Sequence, residues 1–565
     1  MKELIVSILR DALERARAAG QLTTEIPSTA IGTEAPRDSA HGDVASNLAL
    51  SLAKPERKAP RAIAEIIKSH VTLPAEVSEV SVAGPGFINF KMSPAYWHSE
   101  MRQAAGAGRA FWKPRAWELR PGAGKKVQVE FLSANPTGPV TVGHGRNAVL
   151  GDTIARLYEA AGFDVTREYY FNDGGRQMKL LGESVRARYL QQHGIDAPMP
   201  EDGYQGEYIV DIARALKAER GDSLVSVTDL EVFRSVAVKA IFADINQTCT
   251  RLGIRFDVFT NELDLFKSGA VDKVLKALSD KGLTFEQDGA VYLRGEPLGL
   301  PKDAVLVRSG ADKQPTYRTP DIAYHIEKLE RGFDLIVDVF GADHIAEHQE
   351  VLAAVKALGY DITPIRSIIY QFVTLIRGGE KVKMSTRKAT YITLDQLLEE
   401  FPDEVGGADV VRFFFLSRKS DSQFDFDLEL AKKQAPENPV FYVQYAHARL
   451  ASIFREGAAK GLALPTDASQ IDLNRLGPEE IELAKRALGL PEVMSAAAEA
   501  LEPHRITFYL LELATEFHRY YNKPANRIIG PDRELSLARM YMAAILKSAI
   551  AGGLELLGVS APERM

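Results

Sequence analysis

The stretch VQVEFLSANPTGPVTVGHGRNAVLGD, residues 127–152, decides how the rest of the chain reads. Val127, Val129 and Phe131 alternate with Gln128, Glu130 and Leu132, the period of a strand rich in β-branched and aromatic side chains. Asn135-Pro136-Thr137-Gly138-Pro139 then breaks the strand, because a cluster so rich in proline suits neither helix nor central strand. Gly143-His144-Gly145 follows, and the pattern from about Arg146 to Ala161 is helical. A strand, a glycine-bearing turn and a helix opening at that turn make a phosphate site, since the helix N-terminus offers unpaired N–H groups and positive potential. Gly143 lets a flat ring lie against the backbone, and His144 adds a side-chain donor. An ordinary βα turn accounts for the same residues, so the decision rests on the rest of the chain.

At 565 residues the chain is too long for one core, and about three or four domains are expected. The 45% hydrophobic and 26% charged content is that of a soluble globular protein. One cysteine, Cys249, excludes an intrachain disulfide and a cysteine-based metal site, which suits a reducing cytoplasm; no metal site is read. Acidic residues interleaved in the amphipathic opening MKELIVSILRDALERARAAG argue against a signal peptide. No stretch is expected to span a membrane, which takes about 20 apolar residues. A net charge of −7 means that any RNA contact is a local patch or a surface read by shape.

Residues 1–110 read as a small α/β module. Asp43 can cap a helix carrying Val44, Leu48, Leu50 and Leu52. VSEVSVAGPGFINFKMS reads as strand, glycine-proline turn, strand. Phe87 and Asn89 beside that turn are either part of a hairpin core or a platform on which a base stacks and has its edge read. A basic, glycine- and proline-rich linker (106–126) leads to the first half of a parallel sheet, whose second strand is expected within 165–173. Long polar helical stretches from about 186 to 300 read as an insertion. The second half of the sheet follows, with Asp321 either capping a helix or facing a ligand. The strand DLIVDVFGADH ends in Gly341, Asp343 and His344, at the rim where such sheets bind ligands. Strand IRSIIYQFV (365–373) precedes a loop crowded with Lys381, Lys383, Arg387 and Lys388, which can close over a polyphosphate. A connecting stem (391–430) and a helical domain (431–565) complete the chain; most aromatics of the latter are core, some at an RNA surface. The fold class is thus α/β multidomain: a doubly wound, Rossmann-like parallel sheet (125–390) with an insertion, a small N-terminal α/β domain and a C-terminal helical bundle.

GHGRNAVLGD after NPTGPVTV, with KVKMSTRK some way downstream, resembles the paired His-Ile-Gly-His and Lys-Met-Ser-Lys motifs of class I aminoacyl-tRNA synthetases. The finer resemblance is to the arginyl-tRNA synthetases and covers essentially the whole chain. It is carried by HGDVASNLAL, GPGFINF, EFLSANPTGP, EYYFNDGGRQM, YRTPDIAYH, FGADH, NPVFYVQYAHAR and the closing LGVSAPERM. The resemblance implies an enzyme that activates L-arginine with Mg2+–ATP and transfers it to tRNA(Arg); a cytoplasmic protein, a monomer rather than an oligomer, is expected. It implies that Glu130, Asn135, Tyr317 and Asp321 line the arginine pocket. A guanidinium has a permanent charge and fixed donors, so carboxylates suit it; either acid can take the guanidinium or the α-ammonium. It places Gly143, His144, Gly341, Asp343, His344, Met384 and Ser385 by ATP, and His144, Lys383 and Lys388 at the reacting phosphates. It places Phe87, Asn89, Tyr442, Tyr445, Tyr520 and Met565 by tRNA. Two positions depart from the class motifs: Thr141 stands for the first histidine, and Thr386 for the final lysine, whose work falls to Lys383 or Lys388.

Rival readings are weighed by residue type. A glutamate-specific relative would want arginine where this chain has Glu130 and Asp321, and a cysteine-specific one usually carries thiolate zinc ligands that one cysteine cannot supply. An inactive tRNA-binding paralogue is kept open by the two threonines. A simple nucleotidyltransferase would not need the long helical tail.

Overall fold

Five parallel strands run in the spatial order Ile365–Tyr370, Leu335–Gly341, Lys126–Glu130, Asp164–Phe171, Val258–Asn261. Numbered along the chain this is 5-4-1-2-3, a doubly wound sheet whose order reverses between Lys126–Glu130 and Leu335–Gly341. The computed structural model describes residues 1–34, 36, 41–113, 124–310, 314–382, 392–401 and 406–565, without the side chains of 28 and 109. The described residues fall into two units, one of Met1–Phe111, Glu456–Leu488 and Arg527–Leu546, the other of Trp112–Arg455, Gly489–Asn526 and Lys547–Met565.

In the larger unit, helix Val142–Ala160 packs on the sheet from inside its own signature. Gly151 has no Cβ where one would meet the Phe131 side chain at 2.2 Å, so helix and strand close tightly. The helix opens earlier than the periodicity suggests, because Thr141 caps it and brings Gly143 and His144 into its first turn.

Several expectations need correction. The stretch 186–300, read as a helical insertion, contains helices Glu207–Arg220 and Leu230–Arg251 but also supplies the edge strand Val258–Asn261. It further contains strands Thr284–Gln287 and Ala290–Leu293, which join Ala304–Val307 in an antiparallel sheet. Four-residue strands are too short for periodicity to reveal. The strand expected over 365–373 stops at Tyr370, and Val373–Arg377 instead joins a separate sheet beside Phe424–Asp427, in the segment expected as a connecting stem. Phe424 and Phe426 turn inward while Asp425 faces out, the two-residue period that marks a strand.

In the smaller unit, a four-stranded antiparallel sheet runs Thr33–Glu34, Val44–Ser46, Phe87–Met92, Val77–Ala83, and includes the expected hairpin. Asp43 caps no helix: its carboxylate accepts the Met92 N–H at 2.8 Å and pairs with Lys485 at 2.8 Å. The expected lack of a span-like stretch also fails. Helix Arg533–Leu557 is long and apolar enough to cross a membrane, and 78% of its most apolar window is buried in the fold, as a core helix requires.

Candidate active site

A cavity of about 730 Å³ opens at the carboxyl ends of Lys126–Glu130 and Leu335–Gly341, where the strand order reverses. Its wall unites residues far apart in sequence: Glu130, Asn135, Gly143, His144, Tyr317, Asp321, Gly341, Asp343 and His344 all line it. Every expected arginine-side residue and every described ATP-side residue therefore meets in one place.

The signature turn is built as follows. Thr141 Oγ1 accepts the His144 N–H at 3.4 Å, and His144 Nδ1 accepts the Thr141 N–H at 3.5 Å. Burial lowers the His144 pKa, so the ring is neutral and its Nε2 carries the proton. Among the described residues a Cβ added at Gly143 would approach only Thr141 Oγ1, at 3.8 Å, so none of them covers that face of the turn. Asn147 binds both strands of the switch point, its Oδ1 accepting from Leu132 N at 2.7 Å and its Nδ2 donating to Val339 O at 2.9 Å. Leu132 and Ser133 sit at φ of 66° and 43°, left-handed values costly for side chains other than glycine. Arg146, fully buried, donates to the carbonyls of Gln371, Lys419 and Ser422 and fixes the backbone beside Phe372. Downstream of the basic segment, Thr393 pairs with Thr141, and Leu394 N donates to Val140 O at 2.8 Å.

The amino-acid side of the cavity is dominated by acid. In register across three neighbouring strands stand Asp338, Glu130 and Glu168. Like charges side by side on a sheet repel. Helix Arg318–Glu330 answers them: Lys328 Nζ donates to Glu130 and, at 2.7 Å, to Asp338, while Arg331 pairs with Glu168 at 2.9 Å. The same helix carries Asp321, Tyr324, His325 and Lys328 at helical spacing on one face. His325 Nδ1 lies 2.8 Å from the Asp321 carbonyl and Nε2 lies 3.2 Å from Asp338. His325, Asp338 and His348 bring possible ligand atoms within 4.8 Å of one another, but the Asp338 carboxylate is already engaged by Lys328 and His325.

Asp321 differs from its neighbours. The helix begins at Arg318 with Tyr317 at its cap position, so Asp321 caps nothing. No side chain among the described residues donates to its carboxylate. Burial pushes its pKa up to about 7, and the nearby Glu262 and Glu130 charges add to the rise against the opposing His325 and Lys328. Glu262, also raised by burial, accepts from Tyr170 OH at 2.9 Å and from Asn172. Asn135 accepts the Asn172 N–H at 3.0 Å and donates to Gln177 at 3.2 Å, tying the proline-rich turn to the second strand. The pocket therefore holds more acid than it neutralises, which suits a cationic ligand.

Tyr317 is 53% exposed at the mouth, and the Asp343 and His344 side chains are each 59% exposed. Lys383, Met384, Ser385 and Lys388 lie outside the described residues. Of the residues expected at RNA, Tyr445 and Met565 are exposed; Tyr442 is half-buried against His518, its ring 4.8 Å away. Tyr520 is 2% exposed and Asn89 is 3% exposed, so neither presents an edge to a base; both pack inward, while Phe87 is half-buried. Cys249 is buried with its thiol pushed up to about 12, which keeps it out of chemistry.

Sequence reasoning passed over Lys328, Asp338, Glu262, Tyr170 and Phe372. The helical spacing of Asp321 and Lys328 was a usable signal for one of them. Asp338 and Tyr170 lie on paired strands, while Glu262 opens a short helix after the edge strand and Phe372 follows strand Ile365–Tyr370, so all four reach the cavity only once the sheet is assembled.

Comparison with known proteins gives the family. Residues 113–405 match the catalytic domain of tRNA synthetases class I (R), residues 3–92 match the arginyl tRNA synthetase N terminal domain, and residues 443–565 match the DALR anticodon binding domain. The chain is 46% identical over 571 residues to the arginine–tRNA ligase of Desulfotalea psychrophila, covering 100% of this chain and 99% of that one. It is 48% identical over 555 residues to that of Salinibacter ruber, covering 95% and 96%. The solved structure of Thermus thermophilus arginyl-tRNA synthetase superposes with a TM-score of 0.73 at 26% identity, covering 99% of each chain. Alike from end to end to arginine–tRNA ligases, and matched by an N-terminal, a catalytic and an anticodon binding domain, the chain belongs to the arginyl-tRNA synthetase family of class I.

Proposed function

We propose that this chain is an arginine–tRNA ligase: it activates L-arginine with ATP to arginyl-adenylate and transfers the arginyl group to the terminal adenosine of tRNA(Arg), releasing pyrophosphate and AMP. The observation that carries the amino-acid assignment is the Asp321 carboxyl, without a side-chain donor among the described residues and set with Glu130 and Glu262 around one cavity. A permanently charged guanidinium in addition to the α-ammonium relieves that crowding of acid at two points; an acidic or apolar amino acid offers only the α-ammonium. Glu130, Asn135, Tyr317 and Asp321 are the proposed arginine contacts.

In the first step the arginine carboxylate attacks the α-phosphorus of ATP, the α–β bridging oxygen leaves with pyrophosphate, and Mg2+ enters as part of the Mg–ATP substrate. In the second, a ribose hydroxyl of the tRNA attacks the adenylate carbonyl and AMP leaves. Neither step needs a covalent enzyme intermediate. The protein's task is to hold two anions together and stabilise charge that develops on phosphate oxygens. His144 suits this as a neutral donor through Nε2, with Gly143, Gly341, Asp343 and His344 around the nucleotide. Lys383, Met384, Ser385 and Lys388 are proposed to complete the phosphate side.

The proposed division of labour is 1–110 for tRNA, 125–390 for catalysis, 391–430 as a stem and 431–565 for the anticodon end, in a cytoplasmic monomer. Phe87, Tyr442, Tyr445 and Met565 remain proposed tRNA contacts. Arginine-dependent ATP–pyrophosphate exchange, run with and without tRNA, tests the function. Exchange with arginine and none with lysine or glutamate is expected; exchange with another amino acid, or none under either condition, overturns it.

A further inference from the structure

Lys328 is fully buried and does not line the cavity, yet it is bonded to a residue that does. Two of its three donors are used. One goes to Glu130 Oε2, one to Asp338 Oδ1 at 2.7 Å, and the ammonium sits 4.3 Å from the centroid of the Tyr324 ring. Buried behind the cavity wall, it does not itself reach a substrate.

The consequence falls on Glu130. Its Oε1 accepts from Ser133 Oγ at 3.0 Å and its Oε2 accepts from Lys328. Each carboxylate oxygen has one protein donor, and a carboxylate has about four lone-pair sites, so each oxygen keeps acceptor capacity. Both oxygens are thereby fixed in place, and Glu130 lines the cavity as a preset two-oxygen acceptor. Ser133 reaches it from a left-handed turn with φ of 43°, so one side of this grip is held by strained backbone. Without Lys328, Oε2 would have no donor among the described residues, and the in-register carboxylates of Asp338 and Glu168 would repel Glu130 with no cation left beside it.

We infer that Lys328 is a positioning residue for amino-acid recognition, acting through Glu130. The inference rests on the proposed reading that Glu130 contacts arginine. The bland alternative is that Lys328 only balances the charge of the acidic row. The two differ in what a charge-balanced double variant does.

The test is calorimetric arginine affinity of the full-length protein, with steady-state KM values for arginine and ATP, for K328M, K328M/D338N and E130Q. K328M/D338N restores the net charge without restoring the ammonium to Glu130; the amide that D338N introduces offers at most a neutral donor in its place. Arginine binding is expected to weaken roughly ten- to a hundredfold in both Lys328 variants, the scale of losing a hydrogen bond to a charged group, with KM for ATP unchanged. Wild-type arginine affinity in the double variant would overturn the inference and leave charge balance as the whole role of Lys328. Where K328M alone does not fold, the double variant carries the test. Wild-type affinity in E130Q would instead remove the reading of Glu130 on which the inference stands, a result distinct from a loss in E130Q with no loss in K328M/D338N.

Discussion

Thr141 and His144 cap each other: the hydroxyl of the first accepts the backbone N–H of the second at 3.4 Å, and the imidazole Nδ1 of the second accepts the backbone N–H of the first at 3.5 Å. Thr141, which stands for the first histidine of the class motif, is therefore a helix cap that also sets the ring's tautomer. With Nδ1 occupied as an acceptor and the charged form disfavoured by burial, the ring can only donate through Nε2.

His144→Ala is expected to lower the turnover of pyrophosphate exchange by about 10²–10³, the scale of losing one transition-state donor, with arginine affinity little changed. Steady-state exchange together with calorimetry checks this. A variant with wild-type turnover removes His144 from the mechanism.

Asp321→Asn should weaken arginine by about ten- to a hundredfold, since a hydrogen bond to a charged group is lost, and should narrow the preference for arginine over citrulline, which lacks the charge. The free enzyme should respond oppositely. The folded-state pKa of Asp321 is raised from 3.8 to about 7, so between those values the folded state holds a proton that the unfolded state releases. This contribution makes the free enzyme less stable as pH rises through that window. Melting temperature measured above pH 7 should therefore be higher for Asp321→Asn than for wild type. Calorimetric binding unchanged from wild type would return Asp321 to a purely structural role.

Arginine binding should itself be linked to protons. Below about pH 7 the Asp321 carboxyl of the free enzyme is protonated, and a bound cation favours its ionised form, so binding expels a proton. Affinity should fall on acidification, by up to about tenfold per pH unit, and level off above that value. Titrations in buffers of different ionisation enthalpy read the released proton directly; a pH-independent affinity between 5 and about 8 contradicts the linkage.

Phe87→Ala should weaken tRNA binding while leaving ATP binding intact, because Phe87 is half-buried beside the hairpin turn and keeps part of its face free. Asn89→Ala should lower stability instead, since Asn89 is 3% exposed. Filter binding and thermal melts separate the two. Equal tRNA affinity in Phe87→Ala would make the hairpin a plain core element.

Residues 127–152 determined by themselves a strand, a turn and a helix, because two-residue and helical periodicities are local properties that neighbouring side chains write into the chain. The motifs placed Glu130, His144, Asp321 and Gly341 at strand and helix ends, and the doubly wound order then gathered them at one rim. What the local pattern could not hold was decided by pairing between distant segments. Glu130 is 198 residues from Lys328, and their contact exists only because strand Leu335–Gly341 lies beside Lys126–Glu130 under helix Arg318–Glu330. The edge strand Val258–Asn261 is extended because Asp164–Phe171 offers it an open ladder, not because its own four residues demand it. Burial, which raises Asp321 and neutralises His144, is likewise a property of the closed fold: a side chain's solvent is set by everything packed around it.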